Sequence, residues 1–214
     1  MTVPPCQLYL ISPLDVSGDF AQRLTRAISA GPVAAFQFRV KGVDDHAALT
    51  LAEPLRDICA AHDVAFIVND SIGLAKRLNA DGVHLGQDDG AVADARARLG
   101  REAQIGVACM DSRHLAMEAG EAGADYISFG AFFESQTKLT SKRADPELLR
   151  WWSTLFELPV VAIGGITPER AAPLVAAGAD FIATSHAVWS GDEAAAVSAF
   201  ARALDEGMRL RESD

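Results

Sequence analysis

Ala80-Asp81-Gly82-Val83-His84-Leu85-Gly86-Gln87-Asp88-Asp89 sets a turn, a short apolar run and a polar end in direct succession. Gly82 to Leu85 is too short for a helix and helix-like sequence follows it, so Asp89 falls where a parallel strand hands over to a loop. The preceding run, Ala65-Phe66-Ile67-Val68, ends in the same way on Asn69-Asp70. In α/β proteins this C-terminal strand edge is where ligands bind. Two carboxylates at adjacent strand ends suggest a metal.

The opening dipeptide recurs. Ala124-Asp125-Tyr126-Ile127 and Ala179-Asp180-Phe181-Ile182 also introduce a run, each preceded by a glycine, Gly123 or Gly178, suited to a helix C-cap. These aspartates stand at the N-terminal ends of strands and are expected to form turns at the bottom of the fold. Eight runs are found: Leu8 to Ile11, Ala35 to Arg39, Ala65 to Val68, Gly82 to Leu85, Gln104 to Ala108, Tyr126 to Phe129, Val160 to Ile163 and Phe181 to Ala183. Each is followed by a plausible helix. Eight such units in 214 residues predict an α/β fold, a closed (β/α)8 TIM barrel rather than an open sheet. A single domain over 1–214 is expected, with the barrel core at about 7–203 and a C-terminal tail at 204–214.

Nineteen basic against twenty-nine acidic residues give a net charge of -10, which argues against a nucleic-acid or membrane-surface binder. Cys6, Cys59 and Cys109 are odd in number, far apart and without C-x-x-C spacing, so neither a disulfide framework nor a zinc site is signalled. No secretory signal pattern opens the chain and no stretch is apolar enough to span a bilayer. A soluble, cytoplasmic protein is expected.

Polar residues or glycines fill the C-terminal strand ends: Arg39, Asn69-Asp70, Gln87-Asp88-Asp89, Gly130, Gly164-Gly165 and Ser185-His186. Gln37, Arg39 and Lys41 alternate, so their side chains share a face that can hold a polyanion. Asp70 and Asp89 would give hard oxygen ligands to Mg²⁺, which takes one or two carboxylates and completes its shell with water and phosphate oxygens. Each aspartate also suits a helix N-cap, and Asp88 competes with Asp89 on spacing alone. Asn69 can donate to a phosphate.

Gly164-Gly165-Ile166-Thr167-Pro168-Glu169 would let a backbone approach an anion, with Thr167 capping the next helix and Pro168 in its first turn. Ser185-His186 would complete a phosphate site between the seventh and eighth loops. The long connection from Ala131 to Ala144 carries Ser135, Gln136, Thr137, Lys138, Thr140, Ser141, Lys142 and Arg143, a local basic patch suited to a phosphorylated ligand. His84, inside a strand, reads as a barrel histidine with its hydrogen bonds satisfied. Trp151-Trp152 reads as outer-layer packing or a subunit contact. No Ser-His-Asp, H-E-x-x-H, P-loop or G-x-G-x-x-G arrangement occurs.

With Gln37-Phe38-Arg39-Val40-Lys41, Val68-Asn69-Asp70, the block from Ala80 to Asp89, Phe129-Gly130, Thr137-Lys138 and Ala162-Ile163-Gly164-Gly165-Ile166-Thr167 in this order, the chain resembles the thiamine-phosphate synthases from about Gln7 to Ala203. The resemblance implies a transferase joining hydroxymethylpyrimidine diphosphate to a thiazole phosphate, with Mg²⁺ as cofactor, pyrophosphate as leaving group and a pyrimidine carbocation between. It implies that Gln37, Arg39, Lys41, Asn69 and Lys138 hold pyrophosphate and that Asp70 and Asp89 hold the metal. Of these, Arg39, Lys41 and Lys138 would be catalytic. Gly165, Ser185, His186, Ser135 and Thr137 would hold the thiazole phosphate. The partners would be small molecules, with no nucleic acid or membrane, and a homo-oligomer is compatible with the reading.

The chain departs from the family pattern at Ala108, where a serine is usual, at Ala131 to Glu134, which lacks the usual prolines, and at Ser185-His186. A related thiazole tautomerase would need an acid/base histidine near Met110 and no metal. A redirected phosphate-binding barrel is the third reading.

Overall fold

Each of the eight runs is a strand in the computed structural model, which describes residues 4–134 and 143–213. In chain order the elements are β1 (Gln7–Ile11), α1 (Phe20–Ile28), β2 (Val33–Phe38), α2 (Asp45–Ala61), β3 (Ala65–Asn69), α3 (Ile72–Leu78), β4 (Gly82–Leu85) and α4 (Val92–Leu99). There follow β5 (Gln104–Met110), α5 (Arg113–Glu121), β6 (Tyr126–Phe129), α6 (Glu147–Leu155), β7 (Val160–Ile163), α7 (Pro168–Ala176), β8 (Phe181–Thr184), α8 (His186–Trp189) and α9 (Glu193–Arg211). The strands pair in parallel in sequence order and close through β1 and β8. This is a single-domain (β/α)₈ barrel. Closure removes both sheet edges, so every strand's backbone is paired on both sides.

Strand alternation sorts the side chains into two cores. Outward residues such as Phe36, Phe66, Val83, Ile105 and Ile127 pack under the helices, while Tyr9, Ile11, Ala35, Ile67, Tyr126, Val161 and Ala183 fill the barrel interior. On α6, Trp152 is buried, donates its indole N–H to the Leu158 carbonyl at 2.7 Å and stacks on Phe156. Trp151 is partly exposed beneath the Arg113 guanidinium.

The repeated aspartates close the bottom of the barrel by one device. Asp81, Asp125 and Asp180 accept the backbone N–H of Phe66, Ile105 and Val160 on the preceding strand at 2.7, 2.7 and 2.9 Å. Their own N–H groups donate to the carbonyls of the same three residues. Each aspartate thus completes a ladder where the strand begins, which fixes the register of β3/β4, β5/β6 and β7/β8.

The last helix crosses the expected boundary at residue 203 without a break: Asp192 caps it by accepting the Ala195 N–H, and Leu204 and Gly207 are buried. A side chain at Gly207 would overlap Val175 of α7. Among the described residues no helix is long and apolar enough to cross a membrane.

Candidate functional site

At the mouth, β3 ends on Asn69, and Asp70 adopts a left-handed backbone with φ of 65°. Aspartate tolerates this region better than most residues, and it is held there by an N–H bond to the His84 carbonyl at 2.8 Å. The cap of α3 is Ser71, whose hydroxyl accepts the Leu74 N–H, and α4 starts after Ala91. Neither Asp70 nor Asp89 is a helix cap.

Asp89 accepts the Gly86 N–H at 2.8 Å, a turn that a side chain at Gly86 would obstruct, and its carboxyl acts on that of Asp70. Burial, then contact and charge repulsion from Asp89, push the Asp70 carboxyl above its ordinary range, while Lys41 and Arg39 pull it down. Lys41 Nζ stands 3.7 Å from Asp70 Oδ2. Asp88 is exposed, so the geometry separates it from Asp89 where spacing could not.

Arg39, expected as the last residue of its strand, lies one residue past β2 because its backbone turns onto Ser12. The Ser12 hydroxyl accepts the Arg39 N–H at 2.9 Å and donates to the Arg39 carbonyl at 3.1 Å. Ser12, only 1% exposed, is a site residue that strand patterning gave no means of finding.

Gln37 faces the interior below Arg39. Its Nε2 donates to the Tyr9 hydroxyl at 3.0 Å, and Tyr9, Tyr126, His84 and Ser128 continue a line of buried hydrogen bonds. Gln37 therefore stands on the floor of the mouth, beneath the half-buried Arg39 and the exposed Lys41. Burial lowers His84 to about 4, partly offset by Asp89, raises Tyr9 to about 12 and holds Tyr126 well above the ordinary phenol range. All three are neutral at pH 7.

On the β7–β8 side, Gly164 and Gly165 have φ of 107° and 62°, and side chains there would overlap Ala131 and the Glu134 carbonyl. Phe132 and Phe133 donate their N–H groups to the Ile163 and Gly164 carbonyls, so these glycines seat the β6 connection. Arg170 donates to the Gly165 carbonyl at 3.1 Å and lies over the Phe133 ring at 4.9 Å.

Thr167 occupies the N-cap position of α7 with Pro168 next, but makes no side-chain cap, and it draws the exposed Glu169 carboxyl below its ordinary range. Ser185 donates to the Ser12 carbonyl at 3.3 Å, and His186 is exposed at the start of α8. Ser135, Thr137 and Lys138 lie outside the described residues; the ends of their connection meet where Ala144 N–H donates to the Ala131 carbonyl and Arg143 pairs with Glu134. Met110, at the end of β5, is exposed with φ of 50°.

The structure thus brings Arg39, Lys41, Asp70 and Asp89 together, with Asn69 and Gln37 at their base. Among the described residues no three His, Cys, Asp or Glu side chains gather to hold an ion.

Comparison with known proteins identifies the lineage. The profile of the family described as thiamine monophosphate synthase matches residues 8–188. The thiamine-phosphate synthase of Erythrobacter litoralis is 70% identical over 204 residues, covering 94% of this chain and 96% of that one. That of Rhodospirillum centenum is 51% identical over 202 residues, covering 93% and 98%. Among solved structures, the thiamine phosphate pyrophosphorylase of Pyrococcus furiosus superposes with a TM-score of 0.84 at 28% identity, covering 94% of this chain and 96% of that one. On this profile match and these identities, the chain belongs to the thiamine monophosphate synthase family.

Proposed function

We propose that this chain is a Mg²⁺-dependent transferase that joins hydroxymethylpyrimidine diphosphate to a thiazole phosphate, releasing pyrophosphate and forming thiamine phosphate. Family membership supports the reaction. The observation that carries the site is the meeting of Asp70 and Asp89 at adjacent strand ends, two carboxyls that act on each other although neither caps a helix. Ionised together the two carboxylates repel, which Lys41 beside Asp70 offsets in part and a divalent cation would offset further; two hard oxygen donors suit Mg²⁺, whose remaining positions substrate phosphate oxygens and water can fill. When bound, the ion would neutralise charge on the diphosphate and stabilise it as a leaving group.

Arg39 would grip the diphosphate with a planar two-pronged donor set, and Lys41 would add a mobile point charge. Asn69 would donate an amide N–H, and Lys138 would approach from the long connection. As the carbon–oxygen bond breaks, negative charge grows on the leaving oxygens, so these donors bind the transition state more strongly than the ground state. The pyrimidine carbocation would be captured by the thiazole nitrogen. That nitrogen carries no proton, which is why no general base is needed and why a neutral, buried His84 fits the chemistry.

Gly165, Ser185, His186, Ser135 and Thr137 would orient the thiazole phosphate. All three cysteines are free and buried, in keeping with work in the cytoplasm. Incubation with both substrates and Mg²⁺ should yield thiamine phosphate and pyrophosphate, with both lost in Asp70→Ala and Asp89→Ala. No product from the wild-type chain, or unchanged turnover in both variants, would overturn the reading. Metal-free isomerisation of a thiazole carboxylate phosphate would favour the tautomerase instead.

A further inference from the structure

Below the mouth, the polar line from Gln37 through Tyr9, Tyr126 and His84 to Ser128 crosses the interior between β2 and β6. An amide nitrogen only donates, so the Tyr9 oxygen accepts from Gln37 Nε2 at 3.0 Å. The Tyr9 proton then has the Tyr126 oxygen, at 2.9 Å, as its acceptor. The Tyr126 proton is left with His84 Nδ1 at 3.2 Å, which must accept. The proton of the neutral imidazole therefore sits on Nε2, facing Ser128 Oγ at 3.4 Å. Were Tyr126 to donate to Tyr9 instead, the Tyr9 proton would have no acceptor among the described residues.

Tyr126 is placed for this role by two neighbours. Its ring stacks on His84 with centroids 5.5 Å apart, and it lies over Gly106, where any side chain would overlap it. The line reaches the mouth at two points: Gln37 precedes Arg39 on one face of the chain, and the His84 carbonyl holds the Asp70 N–H at 2.8 Å.

We propose that Tyr126 is a positioning residue: its hydroxyl sustains a one-way chain of hydrogen bonds that fixes the Gln37 amide and the Nε2–H tautomer of His84, and so aligns the floor of the pyrimidine diphosphate site. The alignment rests on the transferase reading; the tautomer does not. Partners of this kind, acting through the residues that touch substrate, are worth roughly 10- to 100-fold.

The test combines ¹⁵N-histidine NMR of the substrate-free protein with steady-state kinetics. The wild-type chain should show His84 protonated on Nε2. Tyr126→Phe should lose that single tautomer and raise KM for the pyrimidine diphosphate about tenfold, with KM for the thiazole phosphate unmoved. Gly106→Ala, which keeps the hydroxyl but displaces the ring, should do the same. An Nδ1–H tautomer in the wild-type chain, or a Tyr126→Phe protein with unchanged spectrum and KM, would overturn the proposal. An inactive wild-type chain that still shows the Nε2–H tautomer would instead overturn the transferase reading and the alignment that rests on it.

Discussion

On the β2–β4 side of the mouth two carboxylates at adjacent strand ends act on each other beside two cations, whereas on the β7–β8 side several polar groups are already engaged by neighbours. Asp70 sits in a left-handed backbone, is not a helix cap and carries a carboxyl shifted upward by burial and by Asp89. Across the barrel Ser185 donates to Ser12, Arg170 to Gly165 and Thr184 to Ile166, and the glycines seat the β6 connection. The first arrangement sets like charges beside each other, and the proposed cation would offset them; the second consists of hydrogen bonds already made. Ser12 joins the two, holding the Arg39 backbone with its hydroxyl and the Ser185 hydroxyl with its carbonyl.

This contrast can be broken at either end. The largest effect should come from Asp70→Ala or Asp89→Ala, each expected to lower turnover by roughly 100- to 1,000-fold, as when an electrostatic contact to a developing charge is removed. Steady-state assays at saturating Mg²⁺ would read it. Gly165→Ala should cost stability, since the new methyl meets the Glu134 carbonyl at a φ of 62°; about 2–3 kcal/mol in denaturant unfolding is expected.

Asp70→Asn should act in the opposite sense on the metal-free protein. A folded-state pKa raised above the unfolded value means that stability is lost as pH rises through it, so the ionised pair is a liability at pH 7. The neutral amide should raise the metal-free Tm by roughly 1–3 °C at pH 7, and the difference from wild type should shrink as pH falls through the carboxylate range. A Tm that falls at pH 7 would sink this account of the pair. The smallest change should be Ser185→Ala, which removes one hydrogen bond to a backbone carbonyl: about 1 kcal/mol in unfolding.

The barrel was legible because each strand run carries its own local signal, and the strand bounds agree with it to within two residues. The end of β2 at Phe38, one residue short of Arg39, was not legible because a tertiary bond from Ser12 sets it. The contest between capping and ligation at Asp70 could not be decided from spacing, since it depends on backbone angles that let Ser71 take the cap. The line of Tyr9, Tyr126 and Ser128 was invisible for a different reason: its members come from strands far apart in sequence and meet only when the barrel closes.

The central claim is that Asp70 and Asp89 form one half of a Mg²⁺-pyrophosphate site, and calorimetry with pyrophosphate in the presence and absence of Mg²⁺ tests it most directly. Wild-type protein should bind pyrophosphate tightly only when Mg²⁺ is present, and Asp70→Asn should abolish that metal-dependent gain. Equal affinity with and without Mg²⁺, or an undiminished gain in the variant, would contradict it.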